Sequence, residues 1–211
     1  TTRIRSLLRL KELHDDLDRS ENILVSLALA LENKDIYTKG HSERVARHAM
    51  ALGKAIGLSE RELGWLYKGG LLHDIGKIGI KESILLKPDR LSEEEMEHIR
   101  THPARGYEIC ESLHTLLPSL ALIRSHHERF DGAGYPDGLK GDQIPLLARV
   151  LAVADAFDAM TTDRPYRKGL SVKQARDIMQ KERGSGQWEP SLVDKFIELI
   201  DNGEIFVEEN N

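Results

Sequence analysis

Three serines in this sequence each stand three residues before a glutamate or glutamine, at the start of a run whose apolar residues recur with helical spacing. A serine in this position caps the first turn of a helix, and the following Glu or Gln side chain returns to the serine N–H. The pairs are Ser59 with Glu62, Ser92 with Glu95, and Ser171 with Gln174. Pro103 and Pro190 add two more helix starts, and strand-type alternation is absent. The sequence therefore predicts an all-α helical bundle.

Residues 3–34 are predicted to form one long helix, because they contain no glycine or proline. Its leucines follow a heptad spacing with charged residues on the other faces, which indicates a dimeric coiled-coil connector from an upstream domain. A helix packed lengthwise on its own domain is the alternative. The leucines are Leu10, Leu13, Leu17, Leu24, Leu27 and Leu31. The predicted organisation is a connector at 1–34, a helical domain at 35–203 and a tail at 204–211.

Composition excludes several classes of partner and location. The chain has 211 residues and a net charge of −5, so neither long nucleic acid nor an anionic membrane is an expected partner. The longest apolar stretch, Ile23 to Leu31, is far short of the ~20 residues that span a bilayer. Cys110 is the single cysteine, which fits a reducing compartment. We expect a cytoplasmic protein, and the start at Thr1 in helical sequence suggests a fragment of a longer one.

A His–Asp pair interrupts the apolar, glycine-rich run from Leu71 to Ile80. Burying an unpaired carboxylate such as Asp74 costs several kcal/mol, roughly, so a buried Asp is usually paired or bound to a metal. His73 adds a nitrogen ligand, and the two oxygens of Asp74 can bridge two cations. A capped helix end with a salt bridge is the alternative for the pair by itself.

Further histidines and one aspartate stand where they could complete a metal site. His126 and His127 are adjacent before a glycine-rich loop, His102 lies at a helix junction, and His41 precedes a helix start. Asp155 interrupts a strongly apolar helix predicted from Pro145 to Thr161. The alternative to a metal-binding role for Asp155 is a buried ion pair with Arg149 or Arg164. Helical bundles commonly build dinuclear sites from His and carboxylate side chains on several helices.

These residues and the loop that follows them resemble a known family. The order His41, His73-Asp74, His102, His126-His127, Asp155 is similar to that of HD-domain metal-dependent phosphohydrolases. The stretch His126-His127-Glu128-Arg129-Phe130-Asp131-Gly132-Ala133-Gly134-Tyr135-Pro136 matches every fixed position of the HHExxDGxGYP signature. The chain thus resembles the HD-GYP subfamily over residues 35–200, whose known activity is hydrolysis of cyclic di-GMP to pGpG and, in some members, onward to GMP.

The resemblance implies two divalent metal ions. One would be held by His41, His73, Asp74 and Asp155, and the other by Asp74, His102, His126 and His127, with Asp74 bridging. Two cations ~3.5–4 Å apart can activate a shared hydroxide and neutralise phosphoryl oxygens. The mixed His and carboxylate set suits Fe or Mn, and it also accommodates Zn, Ni or Co.

The resemblance also implies roles in substrate binding. Arg164 and Arg167 match family positions that bind phosphate, although the second is often Lys in the family. Lys77 is expected to orient the phosphate or to protonate the leaving oxygen, with a surface lysine as the alternative. Tyr135 offers a ring for guanine, or a contact to GGDEF-domain synthases.

Two positions depart from the family pattern. Members with a third metal carry a Glu four residues before the first His, where this chain has Tyr37. A phenol with a pKa of about 10 stays protonated at neutral pH, so Tyr37 would not provide an anionic ligand for a third metal, and we expect two metals. With fewer positive charges to stabilise the transition state, the second hydrolysis would be slow, so we expect pGpG to accumulate. The other departure is Trp188, which stands where Phe is usual and is expected to fill the same apolar slot.

The sequence thus predicts a cytoplasmic phosphodiesterase that hydrolyses cyclic di-GMP in second-messenger signalling. Arg3 to Lys11 resembles the exit helix of receiver domains, which suggests the output part of a response regulator with an upstream receiver domain. Two alternatives stay open. The chain could act on another cyclic or linear nucleotide such as a cyclic GMP-AMP, or it could be a non-catalytic module that senses cyclic di-GMP or docks a GGDEF protein.

Overall fold

The computed structural model describes residues 2–32, 40–87, 89–163 and 168–205, and every regular element in those ranges is helical. The α-helices are α1 (Thr2–Glu32), α2 (His41–Ala55), α3 (Glu60–Leu72), α4 (Glu82–Leu85), α5 (Glu93–Ile99), α6 (His102–Cys110), α7 (Leu117–Ser125), α8 (Leu146–Thr161), α9 (Val172–Glu182) and α10 (Pro190–Asp201). Short 3-10 helices cover Ile75–Gly79, His114–Leu116 and Gly141–Gln143. The prediction of an all-α fold is confirmed.

The three predicted capping boxes are present at the starts of α3, α5 and α9. At α3, the Glu62 N–H donates to Ser59 Oγ at 3.4 Å and the Ser59 N–H donates to Glu62 Oε2 at 2.8 Å. Each cap satisfies N–H groups that would otherwise lack a partner, which is worth about 1 kcal/mol. Local sequence therefore determines where these helices begin.

Helix α8 is the centre of the core. Leu151 and Phe157 on this helix are fully buried, and α2, α3, α7, α9 and α10 pack around it. The Phe157 ring lies 5.3 Å from the Phe196 ring of α10. Trp188 is also buried in this core, as predicted. The carboxylate of Asp155 is therefore carried by the most apolar helix of the domain.

The two halves of α1 differ in their surroundings. The C-terminal half packs on α3 and on the 3-10 helix Ile75–Gly79, and Ala28 is buried there. The buried Glu21 of α1 forms an ion pair with Lys68 of α3. In the N-terminal half, Leu10 is 63% exposed and Leu17 is 40% exposed. The alternative of a helix packed on its own domain thus holds for the second half of α1. Among the described helices, none is long and apolar enough to cross a membrane.

Candidate metal centre

The His73–Asp74 pair lies at the junction between α3 and the 3-10 helix Ile75–Gly79. This 3-10 helix packs tightly on α6, because a Cβ at Gly76 would lie 1.9 Å from the His102 carbonyl oxygen. Glycine is therefore required here for the backbones to approach. The close packing brings Asp74 Oδ1 to 3.2 Å from His102 Nε2, while Asp74 Oδ2 lies 3.5 Å from His73 Nε2.

Three of the histidines share one hydrogen-bonding pattern. In each, Nδ1 lies within hydrogen-bond distance of the carbonyl oxygen three residues earlier. The distances are 2.7 Å from His73 to Gly70, 2.7 Å from His102 to Ile99 and 2.8 Å from His126 to Ile123. A carbonyl only accepts, so Nδ1 carries the hydrogen and the neutral ring presents a lone pair at Nε2. This orientation is typical of metal-binding histidines.

The inward-facing nitrogens and carboxylate oxygens form two adjacent groups, and within each group the ligand atoms lie within 4.8 Å of one another. One group is Asp74, His102, His126 and His127, and the other is His41, His73 and Asp155. The Nε2 atoms of His102 and His126 are 3.3 Å apart. Because both present lone pairs, a cation between them would convert a repulsive contact into ligation. The donor set therefore fits divalent metal ions.

Protonation states support the same conclusion. Burial lowers the pKa of His126 well below its usual value, and it lowers the pKa of His127 to about 4. Both rings are thus neutral at pH 7, the form in which histidine can bind a metal. Burial alone would raise the pKa of Asp74, but the neighbouring charge of the Lys77 ammonium is the largest opposing cause, and the pKa lies well below its usual range. Lys77 Nζ donates to Asp74 Oδ2 at 2.5 Å.

Asp158 is a buried carboxylate behind His41 that sequence reasoning missed. Its Oδ2 lies 2.7 Å from His41 Nδ1, and it also accepts hydrogen bonds from the Arg44 guanidinium. Burial alone would lower the pKa of His41, but the hydrogen bond to Asp158 and the charge of Asp155 outweigh this and raise it. Asp158 therefore directs Nε2 of His41 toward the site. Its position three residues after Asp155 on α8, hence on the same face, was the available indication.

The loop after His127 folds back over that histidine. The Tyr135 N–H donates to the His127 carbonyl oxygen at 3.2 Å, and the two rings lie 4.9 Å apart at an angle of 30°. A Cβ at Gly134 would lie 2.3 Å from Arg129 N and 2.5 Å from Glu128 Cα. Glycine at this position therefore allows the loop to contact the backbone of Glu128 and Arg129, so that Tyr135 forms a wall of the site.

Buried Glu128 fixes the far end of this loop. Its side chain accepts the N–H groups of Asp137 at 2.7 Å and Leu139 at 3.1 Å. Helix α7 ends at Ser125, and the Glu128 N–H closes a turn to the Ser125 carbonyl oxygen at 3.0 Å. The turn brings Glu128 under the loop.

All seven predicted metal ligands lie together, and Lys77 and Tyr135 lie beside them. The alternative pairing of Asp155 with Arg149 is wrong, because Arg149 bonds to Asp142 and Glu189. Three predictions lie outside the described residues, namely the phosphate contacts of Arg164 and Arg167 and the phenol of Tyr37.

Comparison with known proteins agrees with this geometry. Residues 25–192 match the family described as HD domain, and the chain belongs to that family. The HD-GYP resemblance seen in the sequence is confirmed by the similar proteins. A cyclic di-GMP phosphodiesterase response regulator, RpfG of Xanthomonas campestris pv. campestris (strain 8004), is 41% identical over 182 residues, covering 85% of this chain and 48% of RpfG.

Two further proteins are similar. The 3′3′-cGAMP-specific phosphodiesterase 3 of Vibrio cholerae serotype O1 is 37% identical over 161 residues, covering 76% of this chain and 35% of that protein. The solved structure of Bd1817, an HDG"Y"P protein from Bdellovibrio bacteriovorus, aligns with a TM-score of 0.65 at 22% identity, covering 89% of this chain and 62% of that one. The structural likeness shows a common fold. The chain spans about half or less of the length of both curated relatives.

Proposed function

We propose that this chain is a metal-dependent phosphodiesterase domain that hydrolyses cyclic di-GMP to pGpG. The observation that carries the proposal is the convergence of seven His and Asp side chains from separate helices and turns. In three of them, His73, His102 and His126, the hydrogen bond at Nδ1 leaves Nε2 for a metal. The identity to RpfG, a cyclic di-GMP phosphodiesterase, supports the choice of substrate.

The metal ligands are assigned to the two groups that the geometry brings together. His41, His73 and Asp155 would hold one cation, His102, His126 and His127 the other, and Asp74 would contact both. We propose two cations, of Fe or Mn first, with Zn, Ni or Co as alternatives. Bound divalent cations would acidify water to a nucleophile at neutral pH and neutralise phosphoryl oxygens.

The remaining residues act on the substrate or on the ligands. Lys77, hydrogen-bonded to Asp74, is placed to orient a phosphate oxygen or to give its proton to the leaving 3′ oxygen. Asp158 holds His41 in position through Nδ1. The Tyr135 ring lies against the His127 ring, and we propose that it also stacks on a base of the substrate. Arg164 and Arg167 are proposed to bind phosphate.

A cyclic GMP-AMP is the second candidate substrate. The observation that favours it is the 37% identity to the 3′3′-cGAMP-specific phosphodiesterase 3 of Vibrio cholerae. The two substrates share the phosphodiester ring and differ in one base, so the same metal centre would serve for either.

The wider setting is proposed from the sequence and from the name of RpfG. We propose that residues 1–34 connect the catalytic domain 35–203 to an upstream receiver domain and that 204–211 form a tail. The protein would then work in the cytoplasm as a response regulator, with GGDEF-domain proteins as partners that contact the Tyr135 loop.

Turnover by the metal-loaded chain tests the proposed function. The purified protein is loaded with Fe or Mn, incubated with cyclic di-GMP or 3′3′-cGAMP, and the products are separated by chromatography. We expect pGpG from cyclic di-GMP, loss of turnover after chelation and recovery on reloading. Tight binding without hydrolysis in the metal-loaded state would contradict the proposal and favour a sensing module.

A further inference from the structure

An open cleft lies next to His127 on the side of the metal centre formed by the end of α5 and the Tyr135 loop. Its walls include Arg100, Thr101, Arg129, Tyr135 and Pro136, together with the His127 side chain. The cleft thus joins a proposed metal ligand to an aromatic ring and to two guanidinium groups from different segments. A ligand attached to the metal centre could extend directly into it.

Arg100 is paired through one nitrogen and has one edge available. Its Nη1 donates to Glu93 Oε1 at 2.9 Å and to Glu97 Oε1, so two carboxylates are paired with this end of the guanidinium. Among the described residues, Nε and Nη2 of Arg100 have no hydrogen-bond partner. These two nitrogens form the edge that presents two parallel N–H groups.

Arg129 differs from Arg100 in this respect. Its Nε and Nη2 donate to Asp131 at 3.1 and 2.6 Å, so the parallel edge of this guanidinium is occupied within the protein. Of the two guanidinium groups in the cleft, only that of Arg100 therefore has its parallel edge available to a ligand.

The chemistry of the cleft distinguishes the purine bases. Guanine presents two acceptors, O6 and N7, that match two parallel N–H groups of an arginine, whereas adenine presents a donor at N6 beside N7. An aromatic ring such as that of Tyr135 adds a stacking surface for either base. A fork and a ring beside a metal centre thus suit guanine better than adenine.

We propose that this cleft is the guanine subsite of the substrate, with Arg100 donating to O6 and N7 of the base. The inference rests on the proposed function, since it places a base of the cyclic dinucleotide beside the scissile phosphate. It assigns base selectivity to Arg100, at the C-terminal end of α5.

Binding of GMP and AMP to the metal-loaded protein tests the subsite without requiring turnover. The two nucleotides carry the same phosphate, so the ratio of their dissociation constants in calorimetry reports on the base. We expect wild-type protein to bind GMP more tightly by about 5- to 150-fold, the range for one bidentate arginine contact. Arg100→Met and Arg100→Lys should both lose this preference, because lysine keeps the charge but not the fork.

Arg176→Met is the matched control. Arg176 also pairs with carboxylates, at Asp201 and Asp177, but it lies on α9 outside the cleft. The control should keep the wild-type preference for GMP. Equal binding of GMP and AMP by wild-type protein, or a preference that survives in Arg100→Met, would overturn the subsite. Equal losses for both nucleotides in Arg100→Met would indicate a phosphate contact and would overturn it as well.

Kinetics separate this inference from the proposed function. Arg100→Met should lower kcat/KM for cyclic di-GMP by at least about fivefold while hydrolysis of bis(p-nitrophenyl) phosphate, which has no base, stays unchanged. A wild-type protein that selects GMP but hydrolyses no cyclic dinucleotide would refute the proposed function and leave the subsite standing. If the wild-type protein hydrolyses cyclic di-GMP and the Arg100→Met variant hydrolyses it equally well, the subsite alone is refuted.

Discussion

Nε2 of His102 lies 3.3 Å from Nε2 of His126, and both rings are buried. Their Nδ1 atoms are satisfied by the carbonyl oxygens of Ile99 and Ile123, so the two facing nitrogens present lone pairs. Two buried lone pairs at this distance oppose folding unless a positive charge is shared between them. The metal centre and the stability of the fold are therefore linked.

Metal removal should destabilise the protein. A ligand at 100 times its dissociation constant stabilises the folded state by about 2.7 kcal/mol, which corresponds to roughly 5–10 °C in Tm for a chain of this size. Thermal unfolding with and without a chelator measures the shift. The chelator should leave the Tm of Asp74→Ala unchanged, and an equal fall in that variant would show that the effect does not come from this centre.

Gly134→Ala should displace the Tyr135 loop. The added Cβ would lie 2.3 Å from Arg129 N and 2.5 Å from Glu128 Cα, and these backbone atoms leave no room for it. We expect a loss of about 1–3 kcal/mol in the free energy of unfolding, typical of overpacking, together with reduced metal retention through His127. Urea unfolding and elemental analysis check the two effects.

Gly64→Ala is the matched control for this substitution. Gly64 lies on the exposed face of α3, and a Cβ there meets nothing within 4 Å. The control should stabilise the protein by about 0.5–1 kcal/mol because alanine favours helix. Equal stability of Gly134→Ala and wild type would contradict the tight packing of the loop.

Asp158→Asn should weaken metal binding without changing any ligand. The variant removes the charge that orients His41 and pairs with Arg44, and such supporting contacts typically contribute 10–100-fold in metal affinity. Competition with a chromogenic chelator measures the loss. Asp194→Asn, which removes an exposed partner of Arg183, should bind metal as wild type does. If Asp158→Asn binds metal with unaltered affinity, Asp158 does not support metal binding through His41.

Helix α1 is expected to pair with a second copy through its exposed leucines. Leu10 and Leu17 are solvent-exposed and lie on the predicted heptad, whereas Leu24 packs against the domain core. Leu10→Glu with Leu17→Glu should therefore give monomers in sedimentation while turnover per chain is retained. A wild-type chain that is monomeric at high concentration would contradict the dimer.

The parts of the fold that the sequence predicted correctly are those set by local chemistry. Capping serines such as Ser59 and breakers such as Pro190 act over a few residues, so the helix starts agree with the structure. The candidate metal ligands were predicted from the specific spacing of the HHExxDGxGYP stretch and of His73-Asp74, and the structure brings their side chains together.

What the sequence did not predict depends on contacts between distant segments. Asp158 is separated from His41 by 117 residues, and its role follows from the packing of α8 on α2. The 3-10 helix after Asp74 depends on the close approach of Gly76 to α6. The position of Arg100 beside Tyr135 likewise follows from the way the loop folds back.

The metal content and turnover of Asp74→Ala test the account most directly. Asp74 belongs to the group of His102, at 3.2 Å from its Nε2, and its other carboxylate oxygen lies 4.0 Å from Nε2 of His41 in the second group. It is therefore proposed to contact both cations. Elemental analysis and hydrolysis of cyclic di-GMP are measured on wild type and variant, with circular dichroism to confirm the helical fold. We predict two metals per chain and pGpG formation for wild type, and neither for the folded variant. A variant that keeps two metals and full turnover would contradict the assignment of the centre.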